Sequence, residues 1–346
     1  MKINTTEINN NNTYIIAELS ANHNGKLETA LKLVEEAKKC GANAIKLQTY
    51  TPDTITINCK NENFKIKGTN LWNDLYLYDL YKSAYLPWEW HEPIFKKAKE
   101  IGIDCFSTPF DETSVDFLEK LNVPCYKIAS CEITDHILLK KIALTKKPVI
   151  ISSGMASLSE LEEALNILRK NGTTDIAMLK CTAEYPAKPE DANLLTIRNM
   201  IETFKVIGGL SDHTLGIEVP IAAVCLGANI IEKHFTLSRN DKGPDSEFSL
   251  EPNEFKQMVE SIRIVEKSIG KITYGGVKGE ENMKHFRRSL YIVKDLKMGE
   301  KLDDTNVRSI RPGNGLHTRY YQDILGKTIK KDVCMGTPLN FSLIDM

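Results

Sequence analysis

Neither sign of charge predominates: 45 lysines and arginines stand against 46 aspartates and glutamates, for a formal net charge of −1. That balance excludes a global field favouring nucleic acid or an anionic membrane surface, so an anionic ligand must be met by particular lysines and arginines. No apolar run approaches the roughly 20 residues that cross a bilayer. Met1–Thr13 is polar and Asn-rich, without the apolar centre of a signal peptide. The eight cysteines include no C-x-x-C pair, and several lie in apolar runs, where a buried free thiol is ordinary. These absences predict a reduced, cytoplasmic protein whose thiols carry no functional message. No internal repeat occurs, and the low-complexity tract is confined to Asn9–Asn12.

What is present is core material in a regular order. With 42% hydrophobic and 26% charged residues over 346 positions, the chain can fill an α/β barrel of about 250 residues and a small extra module. The predicted strands are Tyr14–Glu18, Ala44–Gln48, Asp104–Ser107, Cys125–Ala129, Val149–Ser152, Ile176–Lys180, Val206–Gly209 and Asn229–Lys233. Each lies between amphipathic segments, the alternation of a closed (β/α)8 TIM barrel. A doubly wound open sheet competes, but no G-x-G-x-x-G follows the first strand.

The helices are readable as well. Leu27, Ala30, Leu31, Val34 and Ala37 recur at helical spacing and stop at Gly41. Ser157/Glu160 and Ser159/Glu162 both have capping-box spacing for a helix through Leu168. The long connection from Tyr50 to Pro87 is rich in aromatics, which predicts an ordered excursion near the site. A Gly-rich break at Tyr274–Gly279 divides the chain into a barrel over 1–273, a linker over 274–287 and a small domain over 288–346. The last is too small for a self-sufficient core and is expected to dock on something.

Barrel chemistry occupies the C-terminal strand ends. In order these carry Glu18; Lys46 and Gln48; Ser107 and Thr108; Lys127 and Ser130; Ser152 and Ser153; Lys180 and Thr182; Ser211, Asp212 and His213; Glu232 and His234. Lys46 and Lys127 interrupt apolar strands, where a lysine is costly unless paired. With Ser130, Ser152 and Ser211 they read as a phosphate or carboxylate cradle, although either lysine could instead be a Schiff-base nucleophile. His213 and His234 end neighbouring strands. Each alone reads rather as a hydrogen-bonded structural histidine; together they suit an open divalent site for Mn²⁺, Mg²⁺ or Co²⁺. Asp212 and Glu232 are placed to orient them. His23 lines the site or serves a turn, while His91, His136 and His285 are expected to be structural.

Several motifs then coincide: Ala17–Gly25 (AELSANHNG), Ile45–Tyr50 (IKLQTY), Ser107–Phe110 (STPF), Tyr126–Ser130 (YKIAS), Ser152–Met155 (SSGM), Gly209–His213 (GLSDH) and Glu232–Phe235 (EKHF). Together they resemble the sialic acid synthase family of phosphoenolpyruvate-dependent nonulosonic acid synthases. Arg288–Tyr291 (RSLY) and Ile310–Leu316 (IRPGNGL) resemble that family's C-terminal antifreeze-like SAF (β-clip) domain. The ELSANH and QTYTPD versions, with Lys67–Gly68 through Leu71–Trp72 and Pro87–His91 (PWEWH), look most like the pseudaminate-forming branch. The N-acetylneuraminate and legionaminate branches, the alternatives, usually read EIGxNH and QTF. In Cys181–Pro186 (CTAEYP), Ala183 stands where N-acetylneuraminate synthases carry Asn, a departure in the substrate pocket.

The resemblance implies condensation of phosphoenolpyruvate with an open-chain 2,4-diacetamido-2,4,6-trideoxy hexose, releasing phosphate. It implies a metal, Mn²⁺ first, on His213 and His234. Phosphoenolpyruvate would be held by Lys46, Thr108, Lys127, Ser130, Ser152 and Ser211, and the sugar by Gln48, Tyr185, Asp245 and Arg311. Glu18 and Glu232 would complete the catalytic set with the two histidines. Arg311 would reach the partner's site in a domain-swapped homodimer. A Schiff-base aldolase and a glycan- or ice-binding tail on an inert barrel are the competing readings.

Overall fold

From the first long strand onward the chain alternates strand and helix, and the alternation closes on itself. The computed structural model describes residues 1–9, 12–68 and 72–345. The Asn9–Asn12 run and the Lys67–Trp72 motif therefore lie partly outside the described residues. The chain divides into two compact units, Met1–Gly270 and Lys271–Met346.

In the first unit eight parallel strands form a closed barrel: β1 Tyr14–Glu18, β2 Ala44–Thr49, β3 Asp104–Pro109, β4 Tyr126–Ile128, β5 Val149–Ser152, β6 Ile176–Cys181, β7 Ile207–Asp212 and β8 Ile230–His234. β8 returns to β1, with Ile230 opposite Tyr14 and His234 opposite Glu18. The helices α1 Leu27–Lys39, α2 His91–Ile101, α3 Glu112–Lys120, α4 His136–Leu144, α5 Leu158–Lys170, α6 Leu195–Phe204, α7 Glu218–Cys225 and α8 Pro252–Ile269 follow the strands in turn. Every strand read from the sequence is present, with small shifts at its ends. A short antiparallel ladder, Lys2–Ile3 with Thr6–Glu7, precedes the barrel.

Successive strand residues face opposite ways, one toward the barrel axis and the next toward the helices. Tyr14, Ile16, Ala44, Phe106, Cys125, Ile150, Ala177, Leu179 and Ile230 form the buried apolar filling of the barrel. The other parity packs outward. Ile15, Ala17, Ile45, Leu47, Leu210 and Ile231 meet Leu33, Val34, Ile94 and Phe255. Tyr126, Ile128, Val149, Ile151 and Met178 meet Leu118, Leu139, Leu165 and Leu168. Gly209 marks the tightest point of the filling: a Cβ there would run into the Leu179 side chain and lie 2.5 Å from the Ile230 carbonyl oxygen.

Local signals explain where helices start. Asp111 accepts hydrogen bonds from the amides of Thr113 (2.9 Å) and Ser114 (3.1 Å) to cap α3. Of the two capping boxes the sequence offers α5, the chain uses Ser157: its hydroxyl accepts from the Glu160 amide at 3.3 Å, and Glu160 accepts from the Ser157 amide at 2.7 Å.

The second unit holds a two-stranded antiparallel sheet, β9 Ser289–Ile292 with β10 Val307–Ile310. Contrary to the expectation from its size, it has its own apolar cluster, built from Leu290, Ile292, Leu296, Leu302, Val307, Ile324, Ile329, Val333, Leu339, Leu343 and Ile344. The Gly-rich break is followed by a 3₁₀ stretch, Lys278–Phe286. Among the described residues, no helix is long and apolar enough to cross a membrane.

Candidate active site

The site is the barrel's next layer. Two residues beyond the apolar filling, seven strands present a polar side chain at the same parity: Glu18 after Ile16, Lys46 after Ala44, Thr108 after Phe106, Lys127 after Cys125, Ser152 after Ile150, Ser211 after Gly209 and Glu232 after Ile230. All seven are buried. A closed barrel forces these tips to converge.

The convergence is a network of alternating charge. The Lys46 ammonium pairs with Glu18, lies 3.5 Å from Glu232 Oε1 and donates to Thr108 Oγ1 at 3.2 Å. Lys127 donates to Ser152 Oγ at 2.6 Å and lies 3.9 Å from Glu232 Oε1, which also accepts from the Ser211 hydroxyl at 3.1 Å. Ser130 Oγ accepts from the Gly154 amide at 3.0 Å, and a Cβ on Gly154 would overlap it at 2.6 Å. Burial and the nearby Glu232 raise the pKa of Glu18, although Lys46 opposes them. For Glu232 burial pushes the same way, but Lys127 and Lys46 outweigh it and hold the carboxyl low. Burial depresses the Lys127 amine, whereas the pair with Glu18 and Glu232 overcomes burial at Lys46 and raises it.

Above this layer stand the histidines. The His213 and His234 ring centroids are 5.3 Å apart. His213 Nδ1 donates to the Thr182 carbonyl at 2.8 Å, which leaves Nε2 with the free lone pair. His234 Nδ1 is buried and has no hydrogen-bond partner among the described residues. Burial and the neighbouring His213 keep His234 well below the ordinary imidazole pKa, in the neutral form that can ligate. His213 is raised, burial being outweighed by Cys181 and the Thr182 carbonyl. Among the described residues no group of three or more His, Cys, Asp or Glu side chains could hold a metal ion. Two imidazoles on neighbouring strand ends, one with an unpartnered buried nitrogen, are donors that would suit a cation whose other ligands are water and substrate oxygen.

One wall is aromatic. The Tyr185 ring lies 4.3 Å from His213 and 5.2 Å from Phe248, and Phe248 lies 4.9 Å from His234. On the other side Gln48 donates to Ser20 Oγ (2.9 Å) and Glu18 Oε1 (3.3 Å), and the Ser20 hydroxyl bonds to the buried Asp245. Ser20 achieves this from a left-handed backbone, φ 40°, a conformation uncommon for a non-glycine residue. Burial raises the Asp245 carboxyl.

The structure thus brings together all the proposed phosphoenolpyruvate residues, the two histidines, Glu18, Glu232, Gln48, Tyr185 and Asp245. Arg311 belongs to the second unit, where it is exposed and makes no ion pair among the described residues. Asp212 makes no direct hydrogen bond to the His213 ring among the described residues. Asp212 has the outward parity and pairs with Lys233 behind the strands. Ser107 is outward too, in a buried cluster with Thr49 and His91. His23 serves its turn, accepting from the Gly25 amide at 3.1 Å.

Two groups went unread. Cys181, two residues after Leu179, sits 3.9 Å from His213 Nδ1; burial raises its thiol, but the adjacent His213 prevails and the pKa falls to about 7. Strand parity would have found it. Glu132, in the turn after β4, has a buried Oε2 without a partner among the described residues, and burial raises its pKa to about 7. No spacing rule points to it.

A family model for the NeuB family matches residues 33–274, and a SAF domain model matches residues 287–345. The chain belongs to the NeuB family. A pseudaminic acid synthase of Campylobacter jejuni is 47% identical over 340 residues, covering 96% of this chain and 98% of that protein. An N,N'-diacetyllegionaminic acid synthase of the same species is 42% identical, covering 92% and 96%. Among solved NeuB-like structures, an N-acetylneuraminic acid synthetase from Leptospira borgpetersenii, in complex with citrate, superposes with a TM-score of 0.72 at 34% identity, covering 82% of this chain and 94% of that one.

Proposed function

We propose that this chain condenses phosphoenolpyruvate with open-chain 2,4-diacetamido-2,4,6-trideoxy-L-altrose to give pseudaminic acid and phosphate. The observation that carries the reading is the interleaving of Lys46 and Lys127 with Glu18 and Glu232 beside two buried histidines whose rings lie 5.3 Å apart. Two cations with hydroxyls around them suit a phosphate and a carboxylate; the histidines suit an aldehyde oxygen. Full-length similarity to a pseudaminic acid synthase supports the choice of sugar.

His213 and His234 would hold a divalent cation, Mn²⁺ in the first instance, and when bound it supplies Lewis acidity at the sugar aldehyde. The chain's own residues do the rest. Lys46, Lys127, Thr108, Ser130, Ser152 and Ser211 hold phosphoenolpyruvate so that its C3 faces the aldehyde carbon, converting a bimolecular encounter into an oriented one. Carbon–carbon bond formation leaves a cation at C2. Glu18 and Glu232, held close to it by the lysines, stabilise that charge and steer the water that adds there, after which phosphate leaves. Gln48 and Asp245, joined through Ser20, present polar groups to the sugar hydroxyls, and Tyr185 covers its apolar face. Arg311 of a second copy would complete the sugar site in a homodimer, a reading supported by its exposed guanidinium, without an ion pair among the described residues, and by the family-like Ile310–Leu316 segment. The cytoplasm is the expected compartment.

Phosphate release measured with phosphoenolpyruvate and a panel of sugars tests the proposal. The L-altro diacetamido sugar should react fastest; preference for the legionaminate precursor or for N-acetylmannosamine would overturn the choice of sugar. The depressed Lys127 amine favours a Schiff-base aldolase as the second reading. Borohydride trapping of a pyruvate adduct on Lys127 would establish that chemistry instead.

A further inference from the structure

The aromatic wall continues outward to a residue that no part of the chemistry above uses. The excursion between β2 and α2 folds back on itself: the Ile66 amide donates to the Leu75 carbonyl at 2.8 Å, the Asp74 amide to the Ile66 carbonyl at 3.0 Å, and Lys65 pairs with Asp74 at 2.9 Å. At the end of this turn Trp72 lies against Tyr185, ring centroids 5.6 Å apart and tilted by 48°. Tyr185 in turn covers His213 at 4.3 Å. Trp72 is thus one ring further from the histidines than Tyr185.

The Trp72 indole N–H is buried and has no acceptor among the described residues. A buried indole N–H ordinarily finds a partner, because leaving it unmatched forfeits its hydration without return. The ring packed on it is Tyr185, tilted by 48° against the indole, and it takes no hydrogen bond from that N–H. The inner layer of the site has orphaned atoms of its own, Glu232 Oε2 and His234 Nδ1, and an orphaned donor on a flat apolar face at its outer edge extends that pattern, as a ligand contact would.

We infer that Trp72 is a specificity-determining residue for the distal half of the sugar. Its N–H donates to the carbonyl of the acetamido group at C4, and its face covers the C6 methyl. The inference rests on the reading given under Proposed function, which sets the aldehyde carbon at the histidines and so directs C4 to C6 outward past Tyr185. A C4 hydroxyl lacks a carbonyl acceptor at that reach, and a C6 hydroxyl would be set against an apolar ring, so one residue would disfavour the C4 and C6 hydroxyls of N-acetylmannosamine.

The test is steady-state kinetics of the wild type, Trp72→Phe and Trp72→Ala, varying each substrate at saturating amounts of the other, with Mn²⁺ affinity measured by calorimetry. Trp72→Phe keeps an aromatic face and loses the N–H. It should raise KM for the diacetamido sugar about tenfold and leave KM for phosphoenolpyruvate and Mn²⁺ affinity unchanged. With the analogue bearing a hydroxyl at C4 the wild type and Trp72→Phe should have the same KM. Unchanged sugar KM in both variants would overturn the inference. So would a parallel loss of phosphoenolpyruvate or Mn²⁺ affinity, which would make Trp72 a packing support for Tyr185. A wild-type enzyme that used only N-acetylmannosamine would instead sink the sugar assignment itself.

Discussion

Lys233 and Asp212 form a buried ion pair at 2.5 Å behind the strands, and the same ammonium donates to the Thr214 carbonyl. The lysine thereby grips the residues on both sides of His213, while its own chain neighbours are Glu232 and His234. One pair fixes the relative position of both strand tips that carry the histidines. Removing one partner leaves the other charge buried and uncompensated, which costs about 3–5 kcal/mol. Lys233→Met should therefore lower the unfolding free energy by about that amount in urea titration. Lys233→Met combined with Asp212→Leu should recover much of the loss, because no charge is then left in the gap. Mn²⁺ affinity should stay weakened in the double variant, since its apolar side chains no longer pin Thr214.

Lys46 separates two buried carboxylates, Glu18 and Glu232. Lys46→Met should cut phosphate release at least about a hundredfold, the scale of a lost charge-assisted contact in a buried site. It should also destabilise the fold, because Glu18 then loses its paired cation and Lys127, beside Glu232, is the one ammonium left to offset two carboxylates. Adding Glu18→Gln should restore most of the stability and none of the turnover. Recovery of both together would show that Lys46 is structural.

How much of this was legible follows from parity. Glu18, Lys46, Lys127, Ser152, Ser211 and Glu232 each stand two places beyond an apolar residue of the barrel filling, so a polar layer is written into the strands themselves. Applied strictly, the same alternation would have turned Asp212 outward and Cys181 inward. Trp72 and Phe248 reach the site from loops, whose paths depend on packing between distant segments and leave no periodic trace. The second unit's core was missed for a related reason. Leu296 and Leu302 stand singly between charged residues and gather with Ile324 and Val333 only in three dimensions.

Under the proposed function the two histidines, their ring centroids 5.3 Å apart, would hold the cation that activates the aldehyde. Prolonged chelation should abolish phosphate release, and Mn²⁺ should restore it. His213→Ala and His234→Ala should each lower turnover at least about a hundredfold, the loss of several kcal/mol of charge stabilisation at the aldehyde. Each should also weaken Mn²⁺ binding by calorimetry. Full activity in metal-free protein would remove the basis for the proposed chemistry.

His91 offers a test of stability separate from catalysis. It is fully buried; its Nδ1 donates to the Pro87 carbonyl at 3.3 Å, so in the neutral ring Nε2 accepts from the Thr49 hydroxyl at 2.8 Å. Burial lowers its pKa from 6.5 to about 4. The unfolded chain therefore takes up a proton near pH 6.5 that the folded chain refuses until about pH 4. Above pH 6.5 the group has no effect; as pH falls through the window it draws the equilibrium toward the unfolded state, by about 3 kcal/mol in full. His91→Gln, which keeps an acceptor for Thr49, should lose that part of the slope. Urea titrations at pH 7.5, 6 and 5 should show the two proteins converging as the medium is acidified, and parallel curves would mean that His91 is protonated in the fold.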